Sequence, residues 1–191
     1  MHKIWGITAK KYHLSLTPHE QLCFAVTLES LLFNAEKKAK RLFKTLREKP
    51  SLTVVDVGCR YFRYGNALHA VLSKLNKNIN LFAIDKNQFY SNDSYHPATF
   101  IKGDVTKLNM NKYGIQKIDI VTVFNPFPGI PDLTQMPSAD LFLGCVDWNK
   151  QLFKESLELN GFKPIVWEEN IFRDEMRSWW NNYNPFVAAK K

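Results

Sequence analysis

The chain has 191 residues, 45% of them hydrophobic, which is enough for one domain with a full core. No segment approaches the roughly 18 apolar residues of a membrane span, and the first residues lack the apolar core of a secretory signal. Cys23, Cys59 and Cys145 have no metal-ligand spacing, so reduced thiols in a cytoplasmic protein are expected. The net charge of +8 favours an anionic partner, nucleic acid or a nucleotide before a membrane surface.

A helical extension is predicted over the first 50 residues. Thr17 is a good N-cap, Pro18 suits the first helical position, and Glu20 completes a capping box. Apolar residues then recur with helical spacing up to Leu46, and the residue before Pro50 resists the helical conformation. The pattern predicts one long helix or two abutting helices over residues 17–49.

The second half of this helical segment is strongly basic. It carries Lys37, Lys38, Lys40, Arg41, Lys44 and Arg47. One interpretation is a face that follows the phosphates of an RNA. The other is a solvated face opposite an apolar stripe.

From residue 51 onward, strand and helix signals alternate. Strands are predicted at residues 52–57, 79–85, 98–102, 118–124, 139–146, 163–168 and 185–189, and helices at 66–76 and 148–160. This alternation predicts an α/β fold with a doubly wound, mainly parallel sheet, in one domain of residues 1–191. A proline-rich loop is expected at 125–138, and residues 170–184 mix cations with aromatic side chains, as in a substrate-covering lip or a segment packed on the sheet edge.

Three of the predicted strands end in an acid. Asp56 closes the first strand and is followed by Gly58, while Asp85 and Asp104 come at or just after the ends of the next two. The carboxyl ends of parallel strands meet at one edge of a sheet, which is where open α/β sheets bind ligands. The pattern indicates a site for a nucleotide-like ligand.

The strand-end motifs together resemble those of class I S-adenosylmethionine-dependent methyltransferases. The matching segments run V-V-D-V-G-C from Val54, F-A-I-D from Phe82, K-G-D-V from Lys102 and I-D-I-V from Ile118. The resemblance covers residues 51–168 and implies a Rossmann-like core at 51–191, a methyltransferase activity and S-adenosyl-L-methionine as cofactor.

The resemblance also implies roles for individual residues. Asp85 would accept hydrogen bonds from both ribose hydroxyls, Asp104 and the amide of Val105 would meet the adenine, and Asp56 would face the methionine ammonium. The implied cofactor-binding set is Asp56, Gly58, Cys59, Arg60, Asp85, Lys86, Asp104, Val105 and Asn125.

The first loop departs from the family pattern of alternating glycines. Arg60 and Phe62 stand where the second and third glycines would be. Arg60 could pair with the cofactor carboxylate, or either residue could fill the pocket. The alternative function is therefore a non-catalytic methyltransferase-like binding module. A nicotinamide-dependent oxidoreductase is disfavoured, because its G-x-G-x-x-G pattern would need glycines at Arg60 and Arg63.

The fourth strand leads into Asn125-Pro126-Phe127-Pro128, where methyltransferases contact the methyl acceptor. Asn125, Pro126 and Phe127 are the candidate catalytic residues, with Asn125 orienting an acceptor nitrogen and Phe127 stacking on a base. The run has a weaker, local similarity to tRNA guanine-N7 methyltransferases; a purely structural turn is the alternative. The expected function is methyl transfer to a nucleic-acid or nucleotide-like nitrogen.

Overall fold

A single mainly parallel sheet forms the centre of the molecule. The computed structural model describes residues 18–59, 62, 64–87, 98–124, 138–146, 150–167 and 184–191. The strands within these ranges are β1 (Leu52–Val57), β2 (Ile79–Asp85), β3 (Ala98–Lys102), β4 (Ile118–Val123), β5 (Ala139–Val146), β6 (Phe162–Trp167) and β7 (Asn184–Lys190). All seven were predicted from the sequence, with boundaries within one residue.

The described helices are α1 (Pro18–Lys38), α2 (Lys40–Glu48), α3 (Gly65–Leu75) and α4 (Lys150–Leu159), with a short 3-10 helix at Met110–Tyr113. The predicted helical extension is two abutting helices, because Ala39 leaves the helical conformation at φ −133° and ψ 47°. Lys49 is extended before Pro50, as the sequence indicated. Thr17, the expected N-cap, lies outside the described residues.

The order of strands in the sheet is β3-β2-β1-β4-β5-β7-β6. Neighbours among β1 to β5 pair in parallel, whereas β7 runs antiparallel to both β5 and β6. The reversal of strand order at β1 places the gap between β1 and β4 at the switch point of the fold, where ligands of such sheets bind. The predicted doubly wound, mainly parallel sheet is confirmed.

Each face of the sheet supports its own hydrophobic core. Leu52 and Val54 of β1 belong to the core that also holds Phe24 and Leu28 of α1, here called the helix-side core. Val55 and Val57 point to the opposite face and pack in a second core. Successive residues of a strand point to opposite faces, so a strand buried on both faces is apolar almost throughout.

The remaining predicted segments have mixed outcomes. Helix α4 ends as expected at Asn160-Gly161, where Gly161 has φ 80° and donates its N–H to the Glu158 carbonyl. Almost all of the proline-rich loop at 125–138 and of the segment at 170–184 lies outside the described residues.

Within the described parts of the chain, no helix has both the length and the apolar composition to cross a membrane.

An ion cluster joins the end of α2 to the amino ends of the central strands. The ammonium of Lys49 donates to Asp119 of β4 at 2.5 Å and to Asp140 of β5 at 2.8 Å. Asp119 also accepts the N–H of Thr53 at 2.8 Å, and its side chain is only 8% exposed. Because this carboxylate is almost out of contact with water, it depends on Lys49 for compensation.

We expect Lys49→Met to lower the free energy of unfolding by about 2–3 kcal/mol, because it leaves the Asp119 carboxylate buried without its counter-ion. Urea denaturation monitored by circular dichroism measures the change. The matched control is Lys44→Met, which removes an exposed ion pair to Glu48 and should cost less than about 0.5 kcal/mol. Equal effects from both variants would show that Asp119 does not need Lys49.

Candidate functional site

The turn after β1 lies at the carboxyl edge of the sheet, beside the end of β2. Gly58 has φ 70°, a conformation that favours glycine, and donates its N–H to the Ile84 carbonyl at 2.9 Å. The N–H of Cys59 points at the same carbonyl at 3.3 Å. These bonds carry the chain from β1 across the end of β2, which brings the glycine turn beside Asp85.

Asp56 lies inside the protein just before this turn. Its carboxylate is fully buried and accepts hydrogen bonds from the Tyr64 hydroxyl at 2.7 Å and the Thr122 hydroxyl at 2.5 Å. Burial raises the pKa of Asp56 to about 7, against the opposing effect of the hydrogen bonds from Thr122 and Tyr64. The negative charge of Asp85 adds to the increase. Asp56 is therefore a carboxyl group that titrates near neutral pH.

Cys59 is buried beside these two acids. Burial, followed by the charges of Asp56 and Asp85, raises the pKa of its thiol well above the ordinary value. The thiol is therefore protonated and unreactive at neutral pH. Its side chain belongs to the core on the α1 side of the sheet.

Asp85 ends β2 at the same edge of the sheet. The residue is 8% exposed, and one carboxylate oxygen accepts the N–H of Asn87 at 2.8 Å. Its main-chain carbonyl accepts the N–H of Gly103 at 2.8 Å, which aligns the exits of β2 and β3. Asp85 thus lies between the glycine turn and the exit of β3.

Asp104 follows β3 and holds its own turn together. Its carboxylate accepts the hydroxyl of Thr106 at 2.8 Å and the N–H of Thr106 at 3.1 Å, and Lys86 contributes an ion pair at 3.1 Å. The Thr106 hydroxyl, and next the hydrogen bond from Lys86, lower the pKa of Asp104 to about 2. The predicted cofactor residues Lys86 and Asp104 are therefore partners of one another, and Val105 lies within the turn that they stabilise.

Phe62 occupies the third glycine position of the family pattern with φ 45°, a left-handed conformation that is rare for a non-glycine residue. Its ring is fully buried in the helix-side core, at centroid distances of 5.3 Å from Tyr64 and 5.7 Å from Phe100. Gly65 makes room for it, since a Cβ there would lie 2.3 Å from the Phe62 ring. The ring thus packs with the helices that cover this face of the sheet.

Four of the predicted site residues, Arg60, Asn125, Pro126 and Phe127, lie outside the described residues. The structure brings together Asp56, Gly58, Cys59, Asp85, Lys86, Asp104 and Val105 at the carboxyl ends of β1, β2 and β3. Their roles in binding remain predictions.

The basic residues of α1 and α2 are exposed, but several already have partners. Arg47 makes a bidentate ion pair with Glu36, and Lys44 lies 3.7 Å from Glu48. Lys37 lies over the Phe33 ring at 4.0 Å, and Lys38 donates to the Ile165 carbonyl at 3.2 Å. Lys40 and Arg41 begin α2 on its exposed side.

Sequence reasoning missed Tyr64 and Thr122, the two partners of Asp56. Thr122 carries a signal, because a hydroxyl inside the buried strand I-D-I-V-T-V needs a hydrogen-bond partner. Tyr64 carries none, because its position eight residues after Asp56 becomes meaningful only once the chain turns back at Gly58.

Comparisons with known proteins agree with the geometry at the level of the fold. No protein-family model matches the chain, and no curated protein matches it in sequence. A chain of the complex between the Haloferax volcanii Trm112 methyltransferase activator and a methyltransferase superposes with a TM-score of 0.51 at 15% identity, covering 87% of this chain and 94% of that one. A SAM-dependent methyltransferase from Aquifex aeolicus gives 0.51 at 15% identity, covering 82% and 89%.

A third structure, the DszA carbon methyltransferase, gives a TM-score of 0.52 at 16% identity, covering 77% of this chain and 49% of that one. These neighbours and the strand order define the Rossmann-like fold of class I methyltransferases. The predicted fold class is confirmed. Identities of this size concern the fold alone, and the similarity to tRNA guanine-N7 methyltransferases is not shown.

We expect Asp56 to make stability pH-dependent in a defined direction. Its folded-state pKa of about 7 is higher than the unfolded value of about 3.9. Its contribution is therefore fully present below the unfolded pKa and is lost as the pH rises through about 7. Relative to Asp56→Asn, the wild-type free energy of unfolding should fall by up to about 4 kcal/mol between pH about 4 and about 8.

Urea denaturation of both proteins across this pH range measures the difference, and taking the difference cancels the other titrating groups. Parallel pH profiles for wild type and Asp56→Asn would show that Asp56 has an ordinary pKa in the folded state.

Proposed function

We propose that this protein transfers a methyl group from S-adenosyl-L-methionine to an acceptor molecule. The observation that carries the proposal is the cluster of Asp56, Asp85 and Asp104 at the carboxyl ends of three neighbouring parallel strands, beside the turn at Gly58. Open α/β sheets bind ligands at this edge. The structural neighbours with the same fold are methyltransferases, which supports the choice of cofactor.

The residues at this edge of the sheet fit the cofactor chemically. Asp85 ends the second strand with a carboxylate, the group that can accept hydrogen bonds from two neighbouring ribose hydroxyls at once. Gly58 allows close approach of the backbone, and the turn after Asp104 would face the adenine. Asp56 is enclosed, so its charge would act on the cofactor ammonium through the protein interior, where screening is weak.

The bound cofactor would supply a sulfonium methyl group for an in-line displacement. The acceptor nitrogen would take the methyl group as S-adenosylhomocysteine leaves; an amino nitrogen would then lose a proton to water, whereas a ring nitrogen would keep the positive charge. The protein contributes positioning and exclusion of water. Asn125 would orient the acceptor nitrogen, next to Pro126, and Phe127 would stack on the acceptor ring.

The acceptor in this proposal is a nitrogen of a nucleic acid or a nucleotide-like molecule. The support is the run Asn125-Pro126-Phe127-Pro128 together with the exposed cations of α1 and α2, of which Lys40 and Arg41 project from the start of α2. RNA is the partner that this charge favours. The three cysteines are buried free thiols, which fits the reducing conditions of the cytoplasm.

The competing function is a methyltransferase-like binding module without catalysis. The observation that favours it is Phe62, whose left-handed backbone and buried ring replace a glycine of the cofactor loop. Such a loop could keep the fold while holding the cofactor poorly. Titration with the cofactor separates the two functions.

We expect calorimetric titration to show binding of S-adenosylmethionine and of S-adenosylhomocysteine. Asp85→Asn should weaken the affinity by about tenfold or more, because each lost hydrogen bond to a charged group costs about 1.5–3 kcal/mol. The matched control, Glu158→Gln, neutralises an exposed acid on α4 and should leave the affinity unchanged.

Two results would contradict this prediction at different levels. Absence of binding at millimolar cofactor would overturn the methyltransferase function and favour the binding module. Normal affinity of Asp85→Asn would instead show that Asp85 does not hold the ribose.

For the acceptor, we expect RNA binding to weaken steeply with salt, since contacts to phosphates release counterions. The double variant Lys40→Glu/Arg41→Glu should bind at least tenfold more weakly and show a shallower salt dependence. Fluorescence anisotropy with a labelled tRNA transcript at several salt concentrations measures both.

The control is Lys77→Glu/Lys112→Glu, with the same change of charge at two other exposed lysines. Equal losses of RNA affinity in the two double variants would show that the effect comes from net charge and not from the location of Lys40 and Arg41. Salt-independent RNA binding, or none at all, would show that the basic residues of α1 and α2 form a solvated face and not an RNA site.

A further inference from the structure

Tyr64 joins the start of α3 to the interior of the protein. It immediately precedes Gly65, and its main-chain carbonyl accepts the N–H of Leu68 at 2.8 Å, so it begins the first turn of the helix. The residue is 1% exposed. Because Tyr64 begins α3, the contacts of its buried side chain also fix where the helix starts.

The hydroxyl of Tyr64 is one of two groups that hold the Asp56 carboxylate. Tyr64 donates to Oδ2 at 2.7 Å, and Thr122 donates to Oδ1 at 2.5 Å. Since each oxygen has its own donor, from α3 on one side and β4 on the other, the plane of the carboxylate is fixed. Both donors are buried, so water does not compete with them.

The ring of Tyr64 is the centre of an aromatic cluster. It stacks on Phe24 of α1 at 5.3 Å between centroids and meets the edges of Phe62 at 5.3 Å and Phe124 at 5.4 Å. Phe62 belongs to the loop after Gly58, and Phe124 directly precedes Asn125. One side chain thus contacts Phe62 of the proposed cofactor loop and Phe124, the residue before the proposed acceptor run.

We propose that Tyr64 is a positioning residue of the proposed cofactor site, acting through Asp56, which its hydroxyl orients at the carboxyl edge of the sheet. The inference rests on the proposed function, in which Asp56 acts on the cofactor ammonium. For packing alone, phenylalanine at position 64 and an apolar residue at 56 would serve without the cost of burying polar groups.

The surroundings of Asp56 give this role a measurable signature. Among the described residues, the titratable groups that act on Asp56 or on Tyr64 from the packed elements are Asp85 of β2, Cys59 of the first loop and Cys145 of β5. Burial raises the pKa of Tyr64 well above its ordinary value, so the hydroxyl remains a donor. Because the Tyr64 hydrogen bond lowers the pKa of Asp56, losing it should leave Asp56 protonated to higher pH.

The test is Tyr64→Phe, which keeps the ring and removes the hydroxyl. Calorimetry with S-adenosylhomocysteine, from pH about 6 to about 9, should show wild-type affinity rising as Asp56 ionises near pH 7. In Tyr64→Phe the rise should move to higher pH, and affinity at pH about 7 should fall by about 3- to 10-fold. The titration of the ligand is common to both proteins and cancels.

Thr122→Val removes the second donor and should shift the profile in the same direction. The control is Tyr113→Phe in the exposed 3-10 helix, which should not shift it.

The titration of Asp56 in the unliganded protein, followed by carbon-13 NMR of labelled aspartate, is the companion measurement. A raised Asp56 pKa in Tyr64→Phe together with the shifted binding profile supports the proposal. A normal binding profile in Tyr64→Phe and Thr122→Val, with wild type binding well, would overturn the inference and leave the proposed function standing. Absence of wild-type binding would overturn both the proposed function and the role of Tyr64 in it. An Asp56 titration that is unchanged in Tyr64→Phe would show that the Tyr64 hydroxyl does not orient Asp56.

Discussion

The buried carboxylate of Asp56 is the constraint from which the arrangement around the site follows. A group that can carry charge is stable in the core only when its oxygens are satisfied, and the hydroxyls of Tyr64 and Thr122 do this. Each donor comes from a different element, so the relative positions of β1, β4 and α3 are fixed at one point. The chain must then leave β1 sharply at Gly58 to bring Tyr64 back over the strand end.

The aromatic side chains next to Asp56 also connect the helical extension to the rest of the molecule. Phe24 of α1 stacks on Tyr64 and meets Phe124 edge-on at 5.1 Å, so α1 packs directly above the exits of β1 and β4. Leu28 and Leu31 continue this contact along the helix-side core. A helix that supplies core residues at the strand exits is structurally part of the site, although the sequence marks it only as an amphipathic segment.

The sequence predicted the sheet well because strands such as β1 (L-T-V-V-D-V) and β4 (I-D-I-V-T-V) are short, mainly apolar runs rich in β-branched residues, and this pattern is local. It also brought Asp56, Asp85 and Asp104 to one edge, since the ends of parallel strands must converge. It could not show that Asp56 is enclosed, or that Lys86 pairs with Asp104, because both depend on how loops fold back over the strand ends. The left-handed backbone of Phe62 could not be predicted for a similar reason, because nothing in the local pattern shows that its ring would pack against Gly65.

The position of β7 has a consequence for how the sheet is assembled. β7 follows β5 and β6 in the chain but lies between them, and in the described sheet it is the strand that pairs with β6. During synthesis, therefore, the edge of β5 and the edge of β6 that face β7 stay unpaired until residues 184–190 have emerged. Open strand edges recruit other chains. Removing residues 184–191 would thus separate β6 from the five strands β3-β2-β1-β4-β5 and expose the edge of β5, instead of merely shortening the sheet.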